Sequence, residues 1–515
     1  MKNQVVNLRK SGLLNTSMAR VEDSYLFCRR DFLRALGAIG LLALTRSDAW
    51  TGSMETSDSL SSFISFDREI QKFMQARNIP GAALAVVKDQ RLVYARGYGW
   101  VDRESKIPVK PASLFRIASI TKPFTAVAVL KLIEERKLGL EARAFDVLAS
   151  GPDALHANGA KFDERWKLIT IRQLLQHTGG WDRDKSFDPM FRSRQIAKEL
   201  GIASPPGPRD IIRYMFGRPL DFDPGARYAY SNFGYSVLGR VIEKIAGMSY
   251  GKFVQDNVLA PIGIKRMRIG ASLEGKRAEG EVRYYMPREE TADSVFDSPA
   301  NASFERRGHA AGGSDAAARR VQEDSRRSET AAVLTSVVSS AKDSVGEPPT
   351  DAREQRAFTG RVPWPYGGFC LESMDAHGGW IASAVDLARF AAALHDPERC
   401  PLLRPETIRT MHAPPQPPVS RNQDGSLKDH YYGCGWLVRR VDKEGKANYW
   451  HTGSLPGTYT LLVRRWDGLS WTVLFNQRSE DDKLPDSEID PALHRAANAV
   501  TEWPRFDLFP QYQYQ

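Results

Sequence analysis

Cysteine is scarce in this chain, with four in 515 residues. Cys28 precedes an apolar run, so it does not stand where a lipid-modified cysteine would. The remaining three, Cys370, Cys400 and Cys434, lack metal-ligand spacing. One disulfide bond and one free thiol is therefore the most that an oxidising compartment could produce. The cysteines predict no metal site.

Long hydrophobic runs are also missing. The apolar run from Ala35 to Leu44 has ten residues, too few to span about 30 Å of hydrocarbon, so no stable membrane span is expected. It lies in "CRRDFLRALGAIGLLALTRSDAW", where an arginine pair precedes the run and small residues follow it. This stretch resembles a twin-arginine export signal and predicts residues 1–49 as an address to the periplasm or cell exterior. The alternative is a buried N-terminal helix, and Met18 is an alternative start.

No block of basic residues accompanies the formal net charge of +10. Four of those charges fall in residues 1–49, and the rest are spread along the chain. Without a groove-reading or RNA-binding motif, such a surplus indicates a solvated surface, not a nucleic-acid interface. An apolar content of 42% is enough to bury a large core.

The periodicity of apolar residues predicts an α+β organisation. Phe66, Ile70, Phe73 and Met74 recur at helical spacing, and "AALAVV" and "RLVYARGYG" form a strand pair around a tight turn. "VDLARFAAALHD" and "DPALHRAANAVTEW" predict helices, and residues 449–478 predict three strands.

One stretch has too few large apolar groups to fold. Residues 287–360 are rich in Ala, Ser, Arg, Glu and Asp, and predict a mostly disordered insertion whose deletion would leave folding intact. The predicted divisions are an export signal at 1–49, an α/β lobe at 58–122 and 361–505, a helical lobe at 123–286, and the insertion at 287–360.

Ser-x-x-Lys occurs three times, and context separates the copies. Ser339 lies in the predicted insertion, and Ser249 follows the end of an amphipathic helix, where loop chemistry suffices. Ser119 stands immediately before a helix predicted to be buried, and the spacing puts its hydroxyl and the Lys122 amine on one face. Burial lowers the pKa of an amine, so Lys122 could take the serine proton.

Tyr-x-Asn occurs once, at Tyr230 and Asn232, between a Pro-Gly turn and an amphipathic helix. A loop tyrosine acts as a base only if nearby cations favour its phenolate. Asn232 can bond both a lysine and a substrate amide. A tyrosine that packs on its own helix is the structural alternative.

The tripeptide His-Thr-Gly occurs twice. The copy at His177 follows a helical segment and is interpreted as a structural turn. The copy at His451 begins a strand pair, where Gly453 would let a substrate backbone approach. The backbone N–H groups of Ser119 and Ser454 are the predicted oxyanion hole.

Together, "RIASITKPFTA", "YAYSNFGYSVLG" and "WHTGSLPGT" resemble the serine hydrolases that include class C β-lactamases, D-alanyl-D-alanine carboxypeptidases, D-aminopeptidases and family VIII esterases. The resemblance runs from Phe66 to Trp503, outside the insertion, and implies a five-stranded antiparallel sheet flanked by helices beside an all-helical lobe. It implies no metal or cofactor. The implied site residues are Ser119 as nucleophile, Lys122 and Tyr230 for proton transfer, Asn232 for positioning, and His451, Thr452 and Gly453 as one wall.

Many β-lactamases of this family carry lysine where this chain has His451. Only roughly a quarter of histidine side chains are protonated at pH 7, so a weak preference for carboxylate-bearing β-lactams is expected. Four functions compete: an exported hydrolase of esters or small amides, a D-alanyl carboxypeptidase or D-aminopeptidase, a β-lactamase, and a non-catalytic binding protein on the same fold.

Overall fold

The computed structural model describes residues 63–148, 162–296 and 360–513. Its helices are α1 (Ile64–Arg77), α2 (Thr121–Glu134), α3 (Ala144–Val147), α4 (Ile171–Leu175), α5 (Ser193–Leu200), α6 (Pro208–Phe216), α7 (Asn232–Ala246), α8 (Tyr250–Val254), α9 (Ala384–Ala393), α10 (Pro405–His412) and α11 (Ile489–Asn498). Its strands are β1 (Gly81–Lys88), β2 (Arg91–Asp102), β3 (Ile107–Pro108), β4 (Phe115–Arg116), β5 (Arg268–Ile269), β6 (Thr291–Asp293), β7 (Arg361–Pro363), β8 (Trp380–Ala382), β9 (His430–Tyr432), β10 (Leu437–Arg440), β11 (Ala447–Leu455), β12 (Thr458–Arg464) and β13 (Leu469–Phe475).

The main sheet is antiparallel and has eight strands in the order β3-β2-β1-β13-β12-β11-β10-β9. The predicted α+β class, with an antiparallel sheet flanked by helices, is confirmed. The predicted count of five strands is wrong for the whole sheet, although five long strands, β2, β1, β13, β12 and β11, form its centre. The other three have two to four residues and extend its edges.

Both faces of the sheet are buried, and this explains the apolar runs in its strands. Every residue of β12 and β13 is buried. Along β1, Ala83 and Ala85 pack into the core that contains α2 and α9, whereas Leu84 and Val86 pack into the core that contains α1 and α11. The sheet is therefore a central layer between two sets of helices.

Local sequence accounts for the elements near the start. The buried positions of α1 are Phe66, Ile70, Phe73, Met74 and Arg77, as the helical spacing predicts. The β1–β2 turn residues, Asp89 and Gln90, both have positive φ angles of 48° and 67°. Two such residues form the tight turn whose twist matches an antiparallel hairpin.

Helix α2 runs through the middle of the molecule. Eleven of its fourteen residues are buried, including Lys122 and Pro123, which confirms the prediction of a buried helix. Between β4 and β5, the described residues contain helices and turns and no strand. The predicted limits of the two lobes stay predictions.

The predicted insertion begins too early at residue 287. Strand β6 pairs with β7, Asp293 standing opposite Arg361 in the register. The Arg194 guanidinium and the Ser204 hydroxyl donate hydrogen bonds to the carbonyls of Ser294 and Val295. Residues up to 296 therefore belong to the folded body, because ladder and side-chain hydrogen bonds outweigh the polar composition. Residues 297–359, and the predicted export signal at 1–49, lie outside the described residues.

Candidate active site

Ser119 lies in a tight helical turn that leads directly into α2. The preceding residue, Ala118, has a φ angle of 47°, a left-handed conformation that is strained for a residue with a side chain. The hydroxyls of Thr458 and Thr460 on β12 donate hydrogen bonds to the carbonyls of Arg116 and Ile117, both at 3.0 Å. The sheet therefore holds the backbone that presents the half-buried Ser119 hydroxyl.

The Lys122 amine is fully buried beside this hydroxyl. Its Nζ atom lies 3.0 Å from Ser119 Oγ, 2.8 Å from Asn232 Oδ1 and 2.9 Å from the carbonyl oxygen of His377. Burial, together with the charge of Arg183, holds the pKa of Lys122 well below its ordinary value, although the Asp188 carboxylate opposes the shift. The amine is therefore favoured in its neutral form.

Asn232 connects Lys122 to Asp188 through two hydrogen bonds. Asn232 Nδ2 donates a hydrogen bond to Asp188 Oδ2 at 2.6 Å, which fixes the amide with its oxygen towards Lys122. The other Asp188 oxygen accepts from the Met190 N–H at 3.1 Å. Burial raises the pKa of Asp188, and the Asn232 hydrogen bond acts in the opposite direction. Asp188 could not be predicted from the sequence, because nothing local shows that it folds back onto the Tyr-x-Asn motif.

Tyr230 is half-buried between the side chains of Lys122 and Arg183. Lys122 Nζ lies 4.7 Å from the centroid of its ring, and the Arg183 Cζ atom lies 4.8 Å from the same centroid. Burial raises the pKa of Tyr230 above its ordinary value, although hydrogen bonding with Ser119 and the charge of Arg183 both lower it. The phenol therefore keeps its proton, and the condition set for a tyrosine base, a cation-stabilised phenolate, is not met.

His451 is buried, with its ring 6.5 Å from the Tyr230 ring, centroid to centroid. The side chain is 2% exposed, its Nδ1 lies 2.6 Å from the Thr452 carbonyl oxygen, and its Nε2 lies 2.9 Å from the Tyr432 hydroxyl. Burial, together with the charge of Lys122, lowers the pKa of His451 to about 3. The imidazole is therefore neutral at pH 7, and the expected quarter of charged side chains is an overestimate.

Gly453 is close-packed against protein, not open to a substrate. A Cβ atom there would lie 2.1 Å from the Ile117 carbonyl oxygen and 2.3 Å from Thr460 Oγ1. The backbone that leads to Ser119 therefore fills the space where a side chain at position 453 would stand. The role of Gly453 beside a substrate stays a prediction. Thr452 is half-buried and Ser454 is exposed, so these two residues of β11 are accessible.

One edge of β11 faces the nucleophile turn. Strand β10 pairs only with residues 447–450, so within the described chain it leaves residues 451–455 uncovered on that edge. The turn that carries Ser119 packs against this half of β11. Ser119 and Ser454 thus come from adjacent elements, and their role as an oxyanion hole stays a prediction.

The other His-Thr-Gly copy packs its histidine, His177, against the Tyr230 ring. His177 ends the turn after α4 with a φ angle of 56° and is 1% exposed. Its ring lies 4.4 Å from the Tyr230 ring, centroid to centroid, and its Nδ1 accepts from the Ser231 N–H at 3.2 Å. The helix before it ends at Leu175, so His177 lies in the turn, as interpreted from the sequence. His177 is thus a structural residue that positions the Tyr-x-Asn loop.

The second Ser-x-x-Lys copy is a helix cap. Ser249 Oγ accepts from the Lys252 backbone N–H at 3.4 Å, and Lys252 Nζ pairs with Asp256 at 2.7 Å on the surface. The interpretation of this copy as local chemistry agrees with that geometry. The third copy, at Ser339, lies outside the described residues.

Other kinds of site are not found in the described chain. Residues 63–148, 162–296 and 360–513 contain no group of three or more histidine, cysteine, aspartate or glutamate residues that could hold a metal ion. No helix in those ranges is long and apolar enough to cross a membrane. Cys370, Cys400 and Cys434 are free thiols.

Comparison with known proteins relates the whole described body to one family. The sequence model of the Beta-lactamase family matches residues 66–493. Protein flp of Staphylococcus aureus (strain MW2) is 30% identical over 199 residues, which are 39% of this chain and 36% of that protein. The match thus spans about a third of the length of this relative.

Two further comparisons cover more of the chain. Penicillin-binding protein 4* of Bacillus subtilis (strain 168) is 25% identical over 407 residues, which are 78% of this chain and 69% of that protein. The crystal structure of D-amino acid amidase from Ochrobactrum anthropi SV3, complexed with D-phenylalanine, has a TM-score of 0.55 and 20% identity. That match covers 86% of this chain and 99% of the amidase chain, and shows a shared fold.

Proposed function

The chain belongs to the Beta-lactamase family, and on that premise we propose that it is an exported enzyme that cleaves esters or small amides through an acyl-enzyme intermediate. Membership of the family makes it a serine hydrolase. The substrate class, the site roles and the export are the proposed part.

The mechanism rests on one observation. The hydrogen-bond partners of the Lys122 amine determine where its hydrogens and its lone pair point. A neutral amine has two hydrogens and one lone pair. The Asn232 amide oxygen and the His377 carbonyl oxygen can only accept, so they take the two hydrogens at 2.8 and 2.9 Å. The third neighbour, Ser119 Oγ at 3.0 Å, is the only one with a proton to give. The lone pair of Lys122 is therefore directed to the serine O–H.

The reaction then follows in two steps. Lys122 takes the proton of Ser119 as its oxygen attacks the substrate carbonyl, a contribution of about 10²–10⁴-fold for a positioned base. Two backbone N–H groups, of Ser119 and Ser454, stabilise the oxyanion, each worth roughly 10²–10³-fold. Tyr230, which keeps its proton, passes it to the leaving group and is reprotonated from Lys122. Water then attacks the acyl-enzyme, and the protons move in reverse: water gives its proton to Tyr230, Tyr230 gives one to Lys122, and Lys122 returns one to Ser119 as the acid product leaves.

Amide and lactam substrates are the alternatives. The names of two similar proteins, a penicillin-binding protein and a D-amino acid amidase, keep D-amino acid peptides and amides as candidates. A buried, neutral His451 offers no charge to a β-lactam carboxylate, which weighs against a β-lactamase. The intact contacts among Ser119, Lys122 and Asn232 weigh against a non-catalytic binding protein.

The test uses the full chain with a short p-nitrophenyl ester, a chromogenic cephalosporin and a D-Ala-D-Ala peptide, and records intact mass. We expect an acyl adduct and ester turnover, both lost in Ser119→Ala and kept in Ser249→Ala. Ser249→Ala is a matched control because it removes a serine of the same motif from a helix cap. If a reactive fluorophosphonate forms no adduct at Ser119, the binding-protein alternative replaces the hydrolase.

Export is supported by the arginine pair and apolar run of residues 29–44. Replacement of Arg29 and Arg30 by lysine should keep the protein in the cytoplasm if the pair is a receptor-read address. Fractionation of a bacterial host that has a twin-arginine export system measures this. Unchanged secretion of the double variant would contradict the proposal.

A further inference from the structure

The loop between α4 and α5 carries a cation that the proposed mechanism does not use. The Arg183 guanidinium lies over the Tyr230 ring, with Cζ 4.8 Å from its centroid. The Lys122 amine lies 4.7 Å from the same centroid, so the two side chains flank one ring. Arg183 is therefore next to the reacting groups, on the helical wall of the cleft.

Among the described residues, little negative charge of the protein lies close to the Arg183 guanidinium. Its side chain is 42% exposed, and the one carboxylate within 4.0 Å of it among the described residues is that of Asp184, at 3.7 Å. Asp184 is itself 91% exposed, so this contact is weak. The neighbouring arginines differ: Arg227 pairs with Asp182 at 2.7 Å, and Arg165 pairs with Asp163 at 2.6 Å.

The nearest buried acid is already occupied. Asp188 feels the charge of Arg183, yet its oxygens are hydrogen-bonded to Asn232 and to the Met190 N–H, and it makes no ion pair with Arg183 within 4.0 Å. Within the described chain, the Arg183 guanidinium donates no hydrogen bond to another residue. Its planar fork of donors is thus available to an external acceptor.

On the opposite wall, the Arg478 guanidinium lies beside Ser454, with Nη1 3.4 Å from Ser454 Oγ, but it is paired with the Glu480 carboxylate. His451, at the strand position where family members often carry a cation, is neutral and 2% exposed. The Arg240 guanidinium lies behind the site, paired with the Asp375 carboxylate and buried. Of these guanidinium groups, Arg183 has the weakest carboxylate contact and is therefore the most available to a negatively charged substrate.

We propose that Arg183 is a specificity-determining residue that binds a carboxylate of the substrate, so that the enzyme prefers anionic esters or peptides over neutral ones. The inference rests on the proposed hydrolase function and names its substrate class. A guanidinium binds a carboxylate through two parallel charge-assisted hydrogen bonds, which gives orientation as well as affinity. The carboxylate could belong to the acyl part or to the leaving group, and matched substrates separate the two.

Arg183 also acts on Tyr230, and this second effect needs its own readout. Its charge favours the phenolate, so its loss slows any substrate that uses Tyr230. Binding of a carboxylate, in contrast, changes only the ratio of kcat/KM between an anionic and a neutral substrate of the same length. The ratio is therefore the measurement that decides.

The experiment compares wild type, Arg183→Gln and Arg183→Lys on two matched pairs. The acyl pair is the p-nitrophenyl monoester of glutaric acid and p-nitrophenyl pentanoate; the leaving-group pair is a D-Ala-D-Ala peptide acid and its C-terminal amide. Arg192→Gln is the control, because it removes an exposed arginine from the same stretch between α4 and α5. Each ratio is measured at low and high ionic strength.

We expect Arg183→Gln to lower the anionic-to-neutral ratio about 10- to 100-fold for one pair, mainly through KM, with partial recovery in Arg183→Lys. The pair that responds identifies the side of the substrate that bears the carboxylate. High salt should lower the ratio in wild type and not in Arg183→Gln. Arg192→Gln should retain the wild-type ratio.

Equal losses on both members of each pair would overturn the inference and leave Arg183 acting only through Tyr230. An unchanged ratio in Arg183→Gln would overturn it as well. In both cases turnover of the neutral ester and labelling of Ser119 still support the hydrolase. Absence of both in wild type defeats the proposed function itself, and the inference with it.

Discussion

The hydrogen-bond partners of His451 determine which of its ring nitrogens carries a hydrogen. His451 Nδ1 faces a carbonyl oxygen, that of Thr452, so this nitrogen carries the hydrogen. Its Nε2 must then accept from the Tyr432 hydroxyl, whose pKa burial raises well above its ordinary value. A proton added to His451 would leave two donors facing each other in a dry site. The protein thus stabilises a neutral imidazole.

This neutrality predicts a dependence of stability on pH. The folded-state pKa of His451 is lowered to about 3, below the value of about 6.5 in the unfolded chain. Between these values the unfolded chain binds one more proton, so this residue makes the free energy of unfolding fall as pH falls. We expect His451→Gln to reduce that slope by about 1.4 kcal/mol per pH unit.

Urea denaturation of wild type and His451→Gln at a series of pH values between 6.5 and 4 measures the effect. Parallel curves for the two proteins would mean that the imidazole is accessible to protons in the folded state. Other buried histidines with lowered pKa values, such as His177 and His377, are common to both proteins and cancel in the difference.

The motif residues could be predicted from sequence, and their supporting residues could not. Ser119 and Lys122 lie one helical turn apart, so their contact follows from spacing. Asp188 and Arg183 reach the site through a long irregular loop, and Asp188 meets Asn232 across 44 residues. No periodicity in that loop fixes where its side chains point.

At the scale of elements, the site depends on how closely β11 approaches the turn before α2. Gly453 on β11 stands against the Ile117 carbonyl, two residues before Ser119. Thr460 Oγ1 donates hydrogen bonds to both carbonyls, of Ile117 at 3.0 Å and of Gly453 at 3.3 Å. A strand with any side chain at position 453 would push the nucleophile turn away.

We therefore expect Gly453→Ala to impair both stability and catalysis. A methyl group about 2 Å from backbone and hydroxyl oxygens forces the two elements apart, and overpacking of this kind costs about 1–3 kcal/mol. Because Ser119 moves with Ile117, the rate of fluorophosphonate labelling should fall at least about tenfold. Thermal melts and intact mass against time measure the two effects.

Gly139→Ala is the matched control. The nearest atoms to a Cβ there belong to Ala142, at 3.7 Å, which is ordinary van der Waals contact. This variant should keep the wild-type labelling rate. Wild-type labelling by Gly453→Ala would show that β11 and the nucleophile turn are not tightly coupled.

Long elements could be predicted from sequence, whereas short ones depended on the fold around them. The strands β11, β12 and β13 follow the three predicted runs, because each has seven or more residues and glycine-containing turns. The edge strands β3 and β9 have two and three residues, too few for a period-two pattern. Their neighbours in the sheet, not their own residues, make them strands.

At the scale of the whole molecule, the two ends of the described chain complete one layer. Helices α1 and α11 pack on the same face of the sheet, and Ser65 Oγ donates a hydrogen bond to the Ala496 carbonyl at 2.9 Å. Trp503 makes edge contacts with the rings of Phe63 and Phe66. The sheet itself joins β1 and β2 from the start of the chain to β13 from its end. This closure brings Ser119 and strand β11 together.

The folded body also brings together the two chain ends that flank the segment 297–359. The Ser294 N–H donates to the Gly360 carbonyl at 2.8 Å, so the chain leaves and returns at neighbouring points. Replacement of residues 297–359 by a linker of about four residues should therefore preserve the fold, since a hairpin connection of that length is common. We expect the melting temperature and the ester turnover of this variant to match wild type.

Deletion of the whole segment 287–360, in contrast, should destabilise the protein. It removes β6 and Val295, exposes the buried Val362 of β7, and takes away the acceptors of Arg194 and Ser204. Loss of the two valine contacts alone is worth about 3 kcal/mol. Thermal melts of the two deletions side by side test the boundary at residue 296. An equal loss of stability in both variants would show that residues 297–359 themselves contribute to folding.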